Sequence, residues 1–215
     1  MCRNATIPQS ATLTAPFTQG GLVIGITGGT GCGKTTLLNL IREQGGLILD
    51  CDAIYHELLR SDKGLLAAIE GRFPGVVEDG QLNRKKLGGI VFADQQALLD
   101  LNAITHSAVK REVVRRLAEA PQLAAIDAIG LFEGGLAELC HVTVAVTAPL
   151  EDRVRRLMIR DGISEEYARS RIAAQKDESW FREKCGYTLE NDGGFDAFRS
   201  KCLAFLSRQG IMETD

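Results

Sequence analysis

From residue 22 onward the chain alternates short apolar runs with stretches whose apolar residues recur every three to four positions. The runs Leu22–Thr27, Leu47–Asp50, Leu123–Ala128, Val142–Ala148 and Tyr187–Glu190 predict strands, being brief and flanked by polar or glycine-containing segments. Helical spacing predicts helices over Lys34–Gln44, Ala53–Arg60, Arg84–Phe92, Gln95–Leu117, Leu150–Arg160, Ser164–Gln175 and Phe195–Ser207. In the last of these, Phe195, Phe198, Cys202 and Phe205 fall close to one face. Alternating strands and helices predict an α/β, three-layer fold, a five-stranded parallel sheet covered by helices on both sides.

The spacing of these elements is uneven. Roughly seventy residues separate the second strand from the third, far more than one crossover helix requires. They show helical patterns and no clear strand, which predicts a helical insertion over about 53–120 carrying a substrate site. A second helical excursion, about 150–185, is crowded with arginine and lysine and reads as a lid. Residues 1–20, rich in Thr, Ala, Ser and Pro, read as a flexible extension ahead of a domain spanning 21–215.

Between the first strand and the first helix, Gly28 to Thr35 read GGTGCGKT, the pattern G-x-x-x-x-G-K-[ST]. A loop that wraps its backbone N–H groups around a polyphosphate needs conformational freedom and clearance, and four of these eight residues are glycine. Lys34 can reach the β- and γ-phosphates, and the Thr35 hydroxyl can hold Mg²⁺. Strand, glycine loop and helix together make an anion site at a helix N-terminus.

Other candidates gather at the predicted strand ends. Asp50 and Asp52 stand at i and i+2, and extended backbone would put both carboxylates on one face. Beside a phosphate loop, one carboxylate can take a proton from an acceptor hydroxyl while the other orients a magnesium water. Asp127 ends the third strand as a magnesium-organising carboxylate or as a partner of the loop; Glu133 lies near the same edge. Arg153, Arg155, Arg156, Arg160, Arg169, Arg171, Lys176, Arg182 and Lys184 crowd the lid. Two or three of them are expected on phosphate, the rest on a solvated helix face. Arg84 and His106 lie in the insertion, where each suits either an anionic substrate or an ordinary helix surface.

A net charge of −3 gives no general attraction to nucleic acid, and no apolar stretch approaches the ~20 residues of a membrane span. Six cysteines with no C-x-x-C pair, and three histidines, outline neither a zinc site nor a disulfide framework. An ATP-type loop implies a reducing cytoplasm. Within the loop, Cys32 reads as a small residue, or as a thiol open to oxidation. The residues by themselves leave several readings open: a kinase with one of several small-molecule acceptors (a nucleoside or a sugar acid among them), or a nucleotide-binding switch. The D-x-D and the arginine-rich lid favour an enzyme.

The motif set resembles the dephospho-coenzyme A kinase family over Leu22 to about Asn191. The resemblance is carried by Gly25 to Thr36, by Ile48-Leu49-Asp50-Cys51-Asp52, by Gly80-Gln81-Leu82-Asn83-Arg84 with Ile90-Val91-Phe92, and by Ile104-Thr105-His106. Arg160-Asp161-Gly162, Ala173-Ala174-Gln175 and Asn191-Asp192-Gly193 follow in the family's order. It implies a P-loop kinase fold and Mg²⁺-dependent transfer of the ATP γ-phosphate to the 3′-hydroxyl of dephospho-coenzyme A. Residue by residue, it implies Asp52 as general base beside Lys34 as the second catalytic residue. ATP would be held by Gly29, Thr30, Gly31, Cys32, Gly33, Lys34, Thr35 and Thr36, with Thr35 on the metal. Asp50, Arg84 and His106 would serve the acceptor, and Arg153, Arg160 and Arg182 the nucleotide. The chain departs from the family pattern at Ser107, where proline is usual, at Ile129-Gly130 and at Cys185-Gly186.

Overall fold

The computed structural model describes residues 21–212; the extension expected over 1–20 lies outside the described residues. Strand β1 (Leu22–Thr27) leads through the glycine loop into helix α1 (Lys34–Glu43), and β2 (Leu47–Asp50) runs directly into α2 (Cys51–Ser61). Helix α3 (Lys63–Arg72), a hairpin of β3 (Val77–Glu78) and β4 (Gln81–Leu82), α4 (Arg84–Val91) and α5 (Gln95–Ala118) fill the long interval before β5 (Leu123–Asp127). Strand β6 (Val142–Thr147) is followed by α6 (Leu150–Asp161), α7 (Glu165–Ala173) and α8 (Glu178–Lys184), then by β7 (Tyr187–Glu190) and α9 (Phe195–Arg208).

The main sheet has the order β2-β5-β1-β6-β7, and every pairing is parallel. Its two faces are apolar because alternate strand residues point to opposite sides. Ile24 and Ile26 of β1 join Leu37 and Ile41 of α1 with Phe198, Phe205 and Leu206 of α9. Val23, Leu49, Ala124 and Ile126 turn the other way, onto Ile54 of α2 and Val109, Val113 and Leu117 of α5. This is the expected three-layer α/β arrangement.

The insertion has its own core of Leu59, Leu65, Ile69, Phe73, Val76, Leu87 and Val91. Two of its elements depart from the sequence reading. Helix α3 was not anticipated: Gly64 and Gly71 weaken its pattern, and its order comes from Asp62, whose side chain accepts the Leu65 amide, and from packing on α5. The segment expected to hold no strand contains the β3–β4 hairpin. Its turn is Asp79-Gly80, both at positive φ (51° and 75°), the two-residue turn that suits antiparallel strands. That dipeptide between Val77-Glu78 and Gln81-Leu82 is the sequence signal that would have found it.

Candidate active site

Parallel strands bring their C-terminal ends to one edge of the sheet, and the polar residues of the site collect there. Asp127 stands in register with Ile26 of β1 on one side and Asp50 of β2 on the other. Beyond β1, the loop folds back over the strand ends. Gly28 has φ 130°, and a Cβ there would lie 2.1 Å from the Val146 carbonyl oxygen, so only glycine fits. Gly31 and Gly33 also have positive φ. Helix α1 starts with no side chain capping it, so amides of its first turn are open to an anion.

Lys34 extends back along the loop. Its Nζ donates to the Gly28 carbonyl at 3.0 Å and lies 3.9 Å from Asp127 Oδ1. That oxygen is buried and has no hydrogen-bond donor. Burial pushes the Asp127 carboxyl up to about 6; the Lys34 ammonium opposes this, and the charges of Asp50 and Asp52 add to it. Cys32 is buried, and burial raises its thiol, with Arg153 and Lys34 pulling the other way. A protonated, buried thiol suits the small-residue reading rather than the oxidisable one.

The two aspartates after β2 are not on one extended face. The chain turns helical at Cys51, one residue past the strand, because Asp50 itself caps α2: its Oδ1 accepts the Ala53 amide at 3.0 Å. Asp52 therefore projects from the first helical turn, and the i, i+2 alternation argument does not apply. Asp52 lines a cleft of about 240 Å³ between α2, α5 and the turn after β5, together with Tyr55, Asn102, His106, Ile129 and Gly130. His106 faces Gly130 across it; a Cβ at Gly130 would sit 3.9 Å from His106 Nε2. Thr27 Oγ1 donates to the Ile129 carbonyl at 3.1 Å and ties that wall to the end of β1.

The remaining candidates are more scattered. Arg84, the first residue of α4, approaches His56 Nδ1 at 3.3 Å and lines a separate surface hollow with Leu59, Arg60 and Gln81. Its charge still reaches the cleft, since it opposes the upward push of burial on Tyr55. Glu133 is exposed on the turn after β5. Arg160 pairs with its neighbour Asp161. Arg182 is held by Glu178 and Glu190, and its Nη2 lies 3.3 Å from Thr147 Oγ1 at the end of β6. Arg153 is buried behind the loop, its Nε on the Thr30 carbonyl at 2.9 Å. Three further side chains hold the loop: Arg156 from the basic stretch, and Gln175 and Asn191 from the segments of the family pattern, and the sequence assigns this role to none of them. Gln175 accepts the Thr30 amide, Arg156 donates to the Gly31 carbonyl, and Asn191 Nδ2 donates to the Cys32 carbonyl. Their contacts span more than a hundred residues, and no local pattern announces them.

Among the described residues no group of three or more His, Cys, Asp or Glu side chains could hold a metal ion. No helix among them is long and apolar enough to cross a membrane.

Comparison with known proteins identifies the family and the fold. The sequence model of the dephospho-CoA kinase family matches residues 22–197. A dephospho-CoA kinase of Thermus thermophilus is 37% identical over 188 residues, covering 86% of this chain and 91% of the relative. One from Syntrophotalea carbinolica is 35% identical over 193 residues, covering 87% and 92%. Among solved structures, a Thermus thermophilus protein superposes with a TM-score of 0.77 at 34% identity, covering 89% of this chain and 98% of that one. A shikimate kinase from Bacteroides thetaiotaomicron, at 18% identity and a TM-score of 0.51 over 88% and 98%, shares the fold. With most of its length inside the family match and relatives above a third identical, the chain belongs to the dephospho-CoA kinase family.

Proposed function

We propose that this kinase transfers the γ-phosphoryl group of ATP to the ribose 3′-hydroxyl of dephospho-CoA, and that Asp52 takes the hydroxyl proton. The observation that carries the reading is the position of Asp52. It lines one cleft with His106, and its charge acts on Asp127, which in turn faces Lys34 of the loop. A hydroxyl presented in that cleft stands between a general base and the phosphate-binding loop. The 3′-oxygen bonds to the γ-phosphorus as its proton passes to the Asp52 carboxylate, and the β–γ bridging oxygen leaves with ADP.

The other residues position and neutralise. Amides of the loop and the uncapped first turn of α1 take the phosphates, and Lys34 leaves the Gly28 carbonyl for them. Asp50, as the cap of α2, fixes the helical turn that presents Asp52. His106 and Asn102 face the acceptor across the cleft, Arg84 adds positive charge at its outer side, and Arg182 of α8, whose guanidinium reaches Thr147, serves the nucleotide. A magnesium ion fits the donor set, because the Thr35 hydroxyl sits at the head of α1 and Asp127 Oδ1 is a buried acceptor without a donor. Thr35 and Asp127 would hold it, and it supplies charge neutralisation on the β- and γ-phosphates. The test is the acceptor lacking its 3′-hydroxyl: 3′-deoxy dephospho-CoA should bind and give no ADP. Turnover of that analogue would move the transferred phosphate to another oxygen.

A further inference from the structure

Three successive carbonyls of the loop are held from outside by side chains. Arg153 Nε donates to Thr30 O at 2.9 Å, Arg156 Nη1 to Gly31 O at 3.2 Å, and Asn191 Nδ2 to Cys32 O at 2.9 Å. Thr30 is gripped at its amide too, which donates to Gln175 Oε1 at 2.8 Å; the same oxygen accepts from Arg153 Nη2 at 3.4 Å. One loop residue is thus clamped at both backbone groups by two side chains that also bond each other. In a trans peptide the C=O and the following N–H point opposite ways, and no described peptide is cis. Drawing the Thr30 and Cys32 carbonyls outward therefore turns the Gly31 and Gly33 amides inward, towards the side where a phosphate would lie.

We propose that Arg153 and Gln175 are positioning residues for phosphoryl transfer, acting through the backbone of Thr30 to aim the loop amides at the β-phosphate and touching no phosphate themselves. Arg153 is only 8% exposed, and its Nε and Nη2 are both engaged behind the loop. Gly29 leaves room for the clamp: a Cβ there would lie 2.2 Å from Arg153 Nη2 and 3.1 Å from Gln175 Oε1. Arg153 belongs to α6, and Gln175 follows α7. Val154 and Leu157 of α6 share an apolar cluster with Ala168 and Ile172 of α7, which ties the two elements carrying the clamp to each other. A lysine could not replace Arg153, because two bonds in one plane require the guanidinium fork.

The proposal rests on ATP as the ligand of the loop, and not on the identity of the acceptor. Its test compares ADP with ATP. Calorimetric affinities for both nucleotides are measured on the full chain, on Arg153→Met, on Gln175→Leu and on the double variant, each well below its own melting midpoint. A clamp acting through the loop weakens ADP and ATP by the same factor, about 10-fold to 100-fold for Arg153→Met. The double variant then falls little further than Arg153→Met, since both residues act on Thr30. Weakened ATP with unchanged ADP would make Arg153 a direct γ-phosphate ligand and overturn the proposal. Unchanged affinity for both in a folded variant would reduce the clamp to a structural tie and overturn it equally. Should Arg153→Met not fold, Gln175→Leu reads the same ADP-to-ATP ratio from a half-buried position. No acceptor enters these measurements, so a wrong acceptor assignment would leave their result intact.

Discussion

Asp127 Oδ1 lies 3.9 Å from Lys34 Nζ, close enough for attraction and too far for a hydrogen bond, while the lysine bonds the Gly28 carbonyl instead. The free protein therefore keeps a buried carboxylate incompletely compensated, and its carboxyl is raised from 3.8 to about 6. A raised carboxyl binds its proton more tightly folded than unfolded. Its contribution to stability is full below pH 3.8 and is lost as pH rises through 6.

Asp127→Asn removes that titration. Relative to the parent, the variant should gain stability between about pH 4 and about pH 7, by up to roughly 3 kcal/mol. Urea unfolding of both chains without nucleotide across this range checks it; parallel pH profiles would contradict the assignment.

Asp52→Asn keeps the size of the side chain and removes the base. Turnover should fall by roughly 10²- to 10⁴-fold, with ATP affinity nearly unchanged. Steady-state kinetics alongside nucleotide titration separates the two effects. A variant turning over at the parent rate would remove Asp52 from the reaction.

Gly28→Ala forces a side chain into φ 130°, against a carbonyl oxygen 2.1 Å away. The contact is backbone, so the loop itself must move. The variant should lose ATP binding and about 1–3 kcal/mol of stability. Thermal unfolding with and without ATP measures both, and a normal ATP-induced rise in melting temperature would count against the loop geometry described.

His106 and Gly130 face each other across the acceptor cleft. His106→Ala should raise KM for dephospho-CoA by about tenfold, the loss of one polar contact, and leave KM for ATP alone. At Gly130 an added Cβ meets His106 Nε2 at 3.9 Å, an ordinary contact. Gly130→Ala should therefore fold normally and change only the acceptor KM. An effect of either variant on ATP alone would place the acceptor elsewhere.

Elements with a strong local pattern were legible in the sequence. All five strands of the main sheet were, and so was the loop, because glycine and apolar runs act locally. Helix α3 and the β3–β4 hairpin were not, since α3 is ordered by its cap and its packing on α5, and each hairpin strand is two residues long. For Asp50 and Asp52 the pairing was visible and the geometry was not. Asp50 both ends β2 and caps α2 through the Ala53 amide, so Asp52 falls in the first helical turn. Arg153 stood out as one arginine in a basic stretch. Its burial against Thr30, 123 residues away in sequence, is a tertiary fact without a sequence signature.

The most direct measurement follows ADP release from ATP while the acceptor is varied among dephospho-CoA, nucleosides, shikimate and gluconate. Dephospho-CoA should be the preferred acceptor by a wide margin, and ADP release without any acceptor should be slow. A different preferred acceptor, or ADP release at the same rate with none, would contradict the proposed transfer.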